Sequence, residues 1–259
     1  MQRYQTDVIV IGGGIAGIAA AWEALERGRR VLILDRDAEE NFGGLAKESF
    51  GGIWFADSPL QRKHRIRDSQ ALGLDDWLAF GELEPDDRWP RAWAEAYVER
   101  SVPDVYEWLT GLGVDFMPMP LWVERGLYVP GNSVPRWHIV WGTGYELAVV
   151  LARRLLEHPR GELLECRFGQ RVEALTTAEG RVTGCRGRAE DGGGEFEATA
   201  ESVVIAAGGI NGDLERVRQN WHADWNEPPE IILNGSHKYA DGMLHDAAAA
   251  HGAAITHLD

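Results

Sequence analysis

Residues 8–17 constrain the fold of this chain more than any other stretch. Four β-branched residues, Val8-Ile9-Val10-Ile11, pass without a spacer into Gly12-Gly13-Gly14-Ile15-Ala16-Gly17. An unbroken apolar run of this kind fits a parallel strand buried on both faces. The glycines read G-x-G-x-x-G at the point where that strand must turn into a helix. Gly12 permits the tight turn, Gly14 lets backbone approach a pyrophosphate, and Gly17 lets the helix pack closely on the strand. The free N–H groups and positive dipole end of the helix then face the anion. The helix is expected to stop at Gly28, and a second apolar run, Val31-Leu32-Ile33-Leu34, closes on Asp35. An acid about 20 residues past such glycines can accept hydrogen bonds from both ribose hydroxyls of an adenosine, and it argues against a 2′-phosphate there. The candidate site therefore starts as Gly12, Gly13, Gly14, Ile15, Ala16, Gly17, Asp35 and the adjacent Arg36. The fingerprint alone leaves NAD and FAD open, because both place an ADP half on this cradle.

A glycine-rich loop follows the acid. Residues 41–52 carry two Gly-Gly pairs and a serine, and Gly43, Gly44, Ser49, Gly51 and Gly52 can bring backbone to the far side of the same pyrophosphate. Residues 73–113 have a helical pattern, with Trp93, Ala96, Tyr97 and Arg100 on one face and a new helix expected at Pro103. Trp108 and Leu109 then face a core. Residues 114–135 contain four prolines and little periodicity, which predicts a long loop or short hairpin reaching toward a ligand face. Thr143 and Glu146 have capping-box spacing for a helix ended by Pro159. Residues 163–168, 171–175, 181–188 and 196–199 read as short strands forming a β-meander beside the main sheet. A last buried strand, Val203-Val204-Ile205-Ala206, ends at Ala207-Gly208-Gly209, at the sheet edge where open α/β folds bind ligands. Asn211 is expected to cap the helix after it.

Composition limits the partners. With 41 acidic against 26 basic side chains the formal charge is −15, and neither nucleic acid nor an anionic membrane surface suits so acidic a chain. No apolar run approaches the roughly 20 residues of a spanning helix, and the fingerprint strand starts too near Met1 for a signal peptide. Cys166 and Cys185 read as buried thiols of a reducing compartment, so a cytoplasmic location is expected. The eight histidines show no metal-binding spacing, and no metal is expected. Most of the eleven tryptophans fall between Trp54 and Trp141, which suggests an aromatic lining or interface there.

Several blocks carry a resemblance. Residues 43–52, Ile53-Trp54-Phe55-Ala56-Asp57-Ser58-Pro59, Arg65-Ile66-Arg67-Asp68-Ser69, Trp89-Pro90-Arg91-Ala92-Trp93-Ala94-Glu95-Ala96-Tyr97, Gly131-Asn132-Ser133-Val134-Pro135-Arg136-Trp137-His138 and Trp141-Gly142-Thr143-Gly144 occur in this order. Together they resemble the FAD-binding dehydrogenases of the succinate dehydrogenase and fumarate reductase flavoprotein superfamily, in the branch of the 3-ketosteroid Δ1-dehydrogenases. The resemblance implies FAD as cofactor, Ala206, Ala207 and Gly208 against the dinucleotide, and the backbone of Arg171 and Val172 facing the adenine. Where succinate dehydrogenases attach FAD covalently through a histidine, this chain has Leu45, so noncovalent FAD is implied.

The expected architecture is α/β: a doubly wound Rossmann-like FAD-binding domain over residues 1–232, with a helical insertion at about 57–140, a β-meander, and the start of a cap or substrate domain at 233–259. The implied activity is that of an FAD-dependent oxidoreductase acting on a CH–CH group next to a carbonyl of a small-molecule substrate, of the ketosteroid dehydrogenase or fumarate reductase kind. The electron acceptor and catalytic residue stay unassigned, since the enzymes resembled carry their acid or base in residues beyond Asp259. Two other readings stand beside it: a truncated dinucleotide-binding module without activity of its own, and an NAD-dependent Rossmann enzyme, which would not need the loop at 43–52.

Overall fold

A computed structural model describes residues 1–255 and Leu258. The chain forms two compact units, one of Met1–Ala46 with Leu151–Asp259 and one of Lys47–Val150. Its strands are β1 (Gln2–Gln5), β2 (Val8–Ile11), β3 (Val31–Leu34), β4 (Gly52–Trp54), β5 (Trp137–Ile139), β6 (Leu164–Arg167), β7 (Gln170–Ala178), β8 (Arg181–Ala189), β9 (Glu195–Thr199) and β10 (Ser202–Ile205).

In the first unit a four-stranded parallel sheet has the order β10-β2-β3-β6, which puts the two apolar runs in its centre. Alternation along these strands sends Ile9, Ile11, Leu32 and Leu34 into a core shared with Val172, Cys185, Phe196 and Ala198 of a second sheet, β1-β9-β8-β7. The other face meets the helix Ile15–Glu26, which buries Gly17, Ile18, Ala21 and Leu25. Both faces are thus covered, the condition that an unbroken apolar strand requires. The helix ends as expected: Gly28 takes φ +69°, and the Arg29 amide turns back to the Ala24 carbonyl at 3.0 Å. The mixed α/β architecture with a parallel sheet agrees with the sequence reading.

Two expectations in this unit need correction, and one strand lies outside them. β6 does not join the meander; it pairs in parallel with β3, Leu164 opposite Val31, and extends the main sheet. The meander instead gains β1, a polar strand without apolar alternation, which runs parallel to β9. Asp213 rather than Asn211 caps the next helix, Leu214–Gln219, its carboxylate accepting from the Glu215 and Arg216 amides.

The second unit pairs β4 with β5 antiparallel and surrounds them with helices Pro59–Lys63, Gln70–Phe80, Arg88–Arg100 and Glu107–Gly111. Much of the tryptophan-rich region is core: Trp54, Trp77 and Tyr97 form one aromatic cluster, and Phe55, Tyr106, Phe116 and His138 form another. The spacing of Trp93, Ala96, Tyr97 and Arg100 belongs to the helix Arg88–Arg100, whose buried face is Ala94 and Val98 with Tyr97, while Trp93 and Arg100 point to solvent. Pro103 starts no helix. It lies in a π-helical turn, Ser101–Tyr106, that joins the flanking helices, and the Glu99 carbonyl it cannot serve accepts the Gln70 side-chain amide at 3.0 Å. Thr143 makes no reciprocal capping box, since its own amide is bonded to the Val140 carbonyl.

The blocks around Asp68 and Arg136 meet in the interior of this unit. The Arg136 guanidinium, fully buried, donates twice to the equally buried Asp68 carboxylate at 2.8 Å and also to Asp76 and Asn132. Asn132 accepts from the Trp54 indole at 2.9 Å, and Gln61 ties Asp68 to the Pro135 carbonyl. His138 Nδ1 donates to the Arg136 carbonyl while Nε2 accepts from the Ser58 hydroxyl, both at 2.7 Å. Burial lowers the His138 pKa to about 4, so the ring is neutral. Among the described residues no helix is long and apolar enough to cross a membrane, and no His, Cys, Asp and Glu cluster could hold a metal.

Candidate functional site

The carboxyl ends of β2, β3 and β10 deliver three turns to one edge of the parallel sheet. Gly12–Gly14 leaves β2, Asp35–Asp37 leaves β3 and Ala206–Gly209 leaves β10, and all three line one cavity of the first unit. Its volume, about 200 Å³, is below the roughly 300–1,000 Å³ of sites that enclose a whole ligand. A more open depression of about 450 Å³ continues from it, sharing Gly14, Leu45 and residues 205–208. Together they form an extended cleft rather than a compact hole.

The glycines differ in what they do. A Cβ on Gly12 would sit 2.3 Å from the Ala206 carbonyl oxygen, and one on Gly17 would sit 1.9 Å from the Gly12 carbonyl oxygen. These two let β2, β10 and the helix approach each other. A Cβ on Gly14 meets nothing within 4 Å, and the same holds at Gly208 and Gly209. Around Gly14 the space belongs to the cleft. Gly43 and Gly44 abut this turn: the Gly43 amide donates to the Gly13 carbonyl at 2.8 Å, and a Cβ on Gly44 would reach Gly14 Cα at 3.1 Å. The open side of Gly14 and the helix N-terminus beside it suit a pyrophosphate.

Asp35 is half-buried on the cavity wall. One carboxylate oxygen accepts the Gly13 amide in a short hydrogen bond, and the other accepts the Asp37 amide at 2.7 Å. Burial raises its pKa more than these two amides lower it. The carboxylate expected for a ribose is thus already a bracket between the β2 and β3 turns, with lone pairs left over on each oxygen. Backbone ties from Asp35 and Asp37 to Arg167, Gly169 and Gln170 hold the turn against the start of β7.

Arg36 lines the cavity beside it. Its Nη1 donates to Asp241 at 2.7 Å, its Nε donates to Glu190 in a short contact, and its guanidinium lies 4.3 Å from the centre of the Tyr239 ring. His237 Nε2 bonds the Asp37 carboxylate at 2.9 Å, and Lys238 Nζ is 3.6 Å from it. Residues 236–244 are therefore strapped across the cavity by charged contacts to the β3 turn. Sequence reasoning missed this strap. Its signal, Asp241-Gly242 before a helix, shows only that Met243–Ala250 begins there, with Asp241 accepting the Met243 amide at 3.0 Å.

Not every candidate comes to this cavity. Val172 and its neighbour Gln170 line it, whereas the Arg171 side chain turns to Glu173 at 3.7 Å. Ile15, Ala16 and Gly43 line the open depression instead. Ser49, Gly51 and Gly52 belong to the second unit. There Gly51 is demanded by backbone crowding, its Cβ position lying 2.5 Å from the Thr143 carbonyl carbon, and Gly52 by the Phe50 ring at 2.4 Å.

Comparisons with known proteins agree with this geometry. Residues 7–258 match the FAD binding domain family. A KsdD-like steroid dehydrogenase of Mycolicibacterium smegmatis is 41% identical over 272 residues, covering 98% of this chain and 49% of that protein. The cytochrome-type fumarate reductase of Shewanella frigidimarina is 27% identical over 82% of this chain and 34% of its own length. Among solved structures, 3-ketosteroid-Δ4-(5α)-dehydrogenase from Rhodococcus jostii RHA1 superposes with a TM-score of 0.83 at 26% identity, over all of this chain and 56% of that one. The chain thus spans about half the length of these steroid-dehydrogenase relatives. It belongs to the FAD binding domain family of flavoprotein oxidoreductases, and the cofactor it binds is FAD.

Proposed function

We propose that this chain supplies the ADP-holding part of an FAD-dependent dehydrogenase that acts on a CH–CH group next to a carbonyl, with 3-oxo steroids as the substrate class. The observation that carries the reading is the open side of Gly14, set where three sheet-edge turns converge. The Gly12–Gly14 and Ala206–Gly208 turns, with Gly43 and Gly44, would hold the pyrophosphate. Asp35 would receive the ribose hydroxyls, and Val172 would flank the adenine. FAD held there would supply a hydride acceptor for the substrate's activated carbon pair, and the residues of this chain would fix the dinucleotide's orientation. Leu45 lines the cavity and has no group able to bond a flavin, which supports noncovalent attachment. The steroid assignment rests on the 41% identity to the KsdD-like dehydrogenase. Two unpaired cysteines, both with pKa pushed up to about 12 by burial, support a reducing, cytoplasmic setting.

The test is anaerobic mixing of the whole FAD-loaded dehydrogenase, of which this chain would be the ADP-holding part, with 4-androstene-3,17-dione or its saturated analogue and a dye acceptor. Loss of the flavin absorption band and dye reduction are expected with a 3-oxo steroid and not with succinate. Reduction by succinate alone would move the assignment to the fumarate reductase side, and a protein that bound no FAD would end it.

A further inference from the structure

Dinucleotide-binding folds that accept a 2′-phosphate place an arginine near the position of the ribose-binding acid. This chain has that arginine, Arg36, next to Asp35. Among the residues lining the cavity it is the one Arg or Lys. From sequence alone it could be read as an anchor for a phosphorylated ribose. The structure gives it other work. Its Nε is taken by Glu190, in the turn that follows β8, and its Nη1 by Asp241 on the strap, while Tyr239 covers its ring-like plane at 4.3 Å. Glu190 is itself held in place, its amide donating to the Gly169 carbonyl at 2.8 Å, and Gly169 donates in turn to Asp37. The Asp241 carboxylate is fixed by the Met243 amide. Two anchored carboxylates on one guanidinium leave this corner with a net negative charge, and Asp35 on the same wall adds to it, whereas Asp37 is offset by Lys238 at 3.6 Å. A ribose with free hydroxyls fits such a wall, since hydroxyls donate to carboxylates. A dianionic phosphate does not.

We propose that Glu190 and Asp241 are specificity-determining residues of the nucleotide cavity: by occupying Arg36 they prevent its pairing with a ribose phosphate, and so select adenosine ligands whose ribose is free. This rests on the assignment of the cavity to an adenosine half. It extends the discrimination from Asp35 to an ion-pair network that spans three distant segments of the chain. It also makes the arginine a latch for the strap rather than a ligand for the cofactor.

The experiment displaces FAD from the protein with 5′-AMP and with adenosine 2′,5′-bisphosphate, which differ only in the 2′-phosphate. Wild type is expected to prefer AMP by about tenfold or more, the order of one charge-assisted hydrogen bond. Glu190→Gln, which keeps size and hydrogen bonding but frees Arg36 from one carboxylate, should shrink that preference about tenfold, chiefly by tighter binding of the bisphosphate. Asp241→Asn added to it should shrink it further. Arg36→Met in the Glu190→Gln background should remove the gain, because no guanidinium is left to receive the phosphate. An AMP-to-bisphosphate ratio that is the same in wild type and Glu190→Gln overturns the proposal. If the double variant does not fold, the comparison of wild type with Glu190→Gln decides alone. A wild-type protein that binds FAD but shows no preference for AMP refutes the inference and leaves the proposed function standing; one that binds neither FAD nor AMP refutes the proposed function.

Discussion

Gly12, Gly14 and Gly17 are glycines for different reasons, and only Gly14 points to a ligand. Gly12 takes φ +107° and Gly17 sits against a carbonyl, so both are needed by the fold. Gly14 has φ −72° and ψ 177°, backbone that any residue adopts, and open space where a side chain would go. Gly14→Val should therefore leave the far-UV circular dichroism and unliganded melting temperature near wild type while weakening FAD by about 2 kcal/mol or more, ~30-fold. Equal FAD affinity in titrations of the two proteins would remove Gly14 from the site. Asp35 offers a test by pH. Its pKa is raised in the unliganded protein, and ribose hydroxyls donating to the carboxylate favour the ionised form, so bound FAD should lower that pKa. The complex then holds fewer protons than the free protein. FAD affinity should be level above the raised value and fall as pH drops through it toward the usual 3.8. Asp35→Asn should flatten that limb in titrations across the acid range.

At the scale of elements, the β2–helix–β3 unit was legible because its signals are local: a strand of one period, a turn of fixed spacing, a helix of another. β6 was not. Its sequence, Leu-Glu-Cys-Arg, suits a meander strand as well as a sheet edge, and its partner β3 lies far back in the chain. The same holds at the site. The two glycine turns and Asp35 announce themselves, whereas His237, Tyr239 and Asp241 reach the cavity through contacts with residues about two hundred positions away. No window of sequence contains both ends of such a contact. The block Gly131 to His138 carries a resemblance but no local pattern, and its physical reason is the buried Arg136–Asp68 pair. Removing one partner of a buried pair strands the other, so Arg136→Met should destabilise the Lys47–Val150 unit by about 3–5 kcal/mol. Denaturant melts followed by tryptophan fluorescence would report it, as eight of the eleven tryptophans lie in that unit. A change below 1 kcal/mol would mean that water reaches the pair.

For the molecule as a whole, acid should act unevenly on the two units. His138 is neutral and fully buried at pH 7, with a folded pKa of about 4 against an ordinary 6.5. Between those values the unfolded chain binds the proton and the folded one does not, so stability contributed by the neutral ring is complete above 6.5 and is lost as pH falls toward 4. The loss is of order 3 kcal/mol in the Lys47–Val150 unit, and melts of wild type and His138→Gln across that range should converge in acid. The order of strands has a further consequence, for synthesis. β1 and β2 leave the ribosome well before their partners β9 and β10, with Lys47–Val150 translated in between. The inserted segment can complete its own contacts while the apolar strand Val8–Ile11 still waits for its neighbour. Until β10 emerges that strand has an open edge, so a newborn chain is exposed to mispairing at the element that later lines the candidate nucleotide cleft.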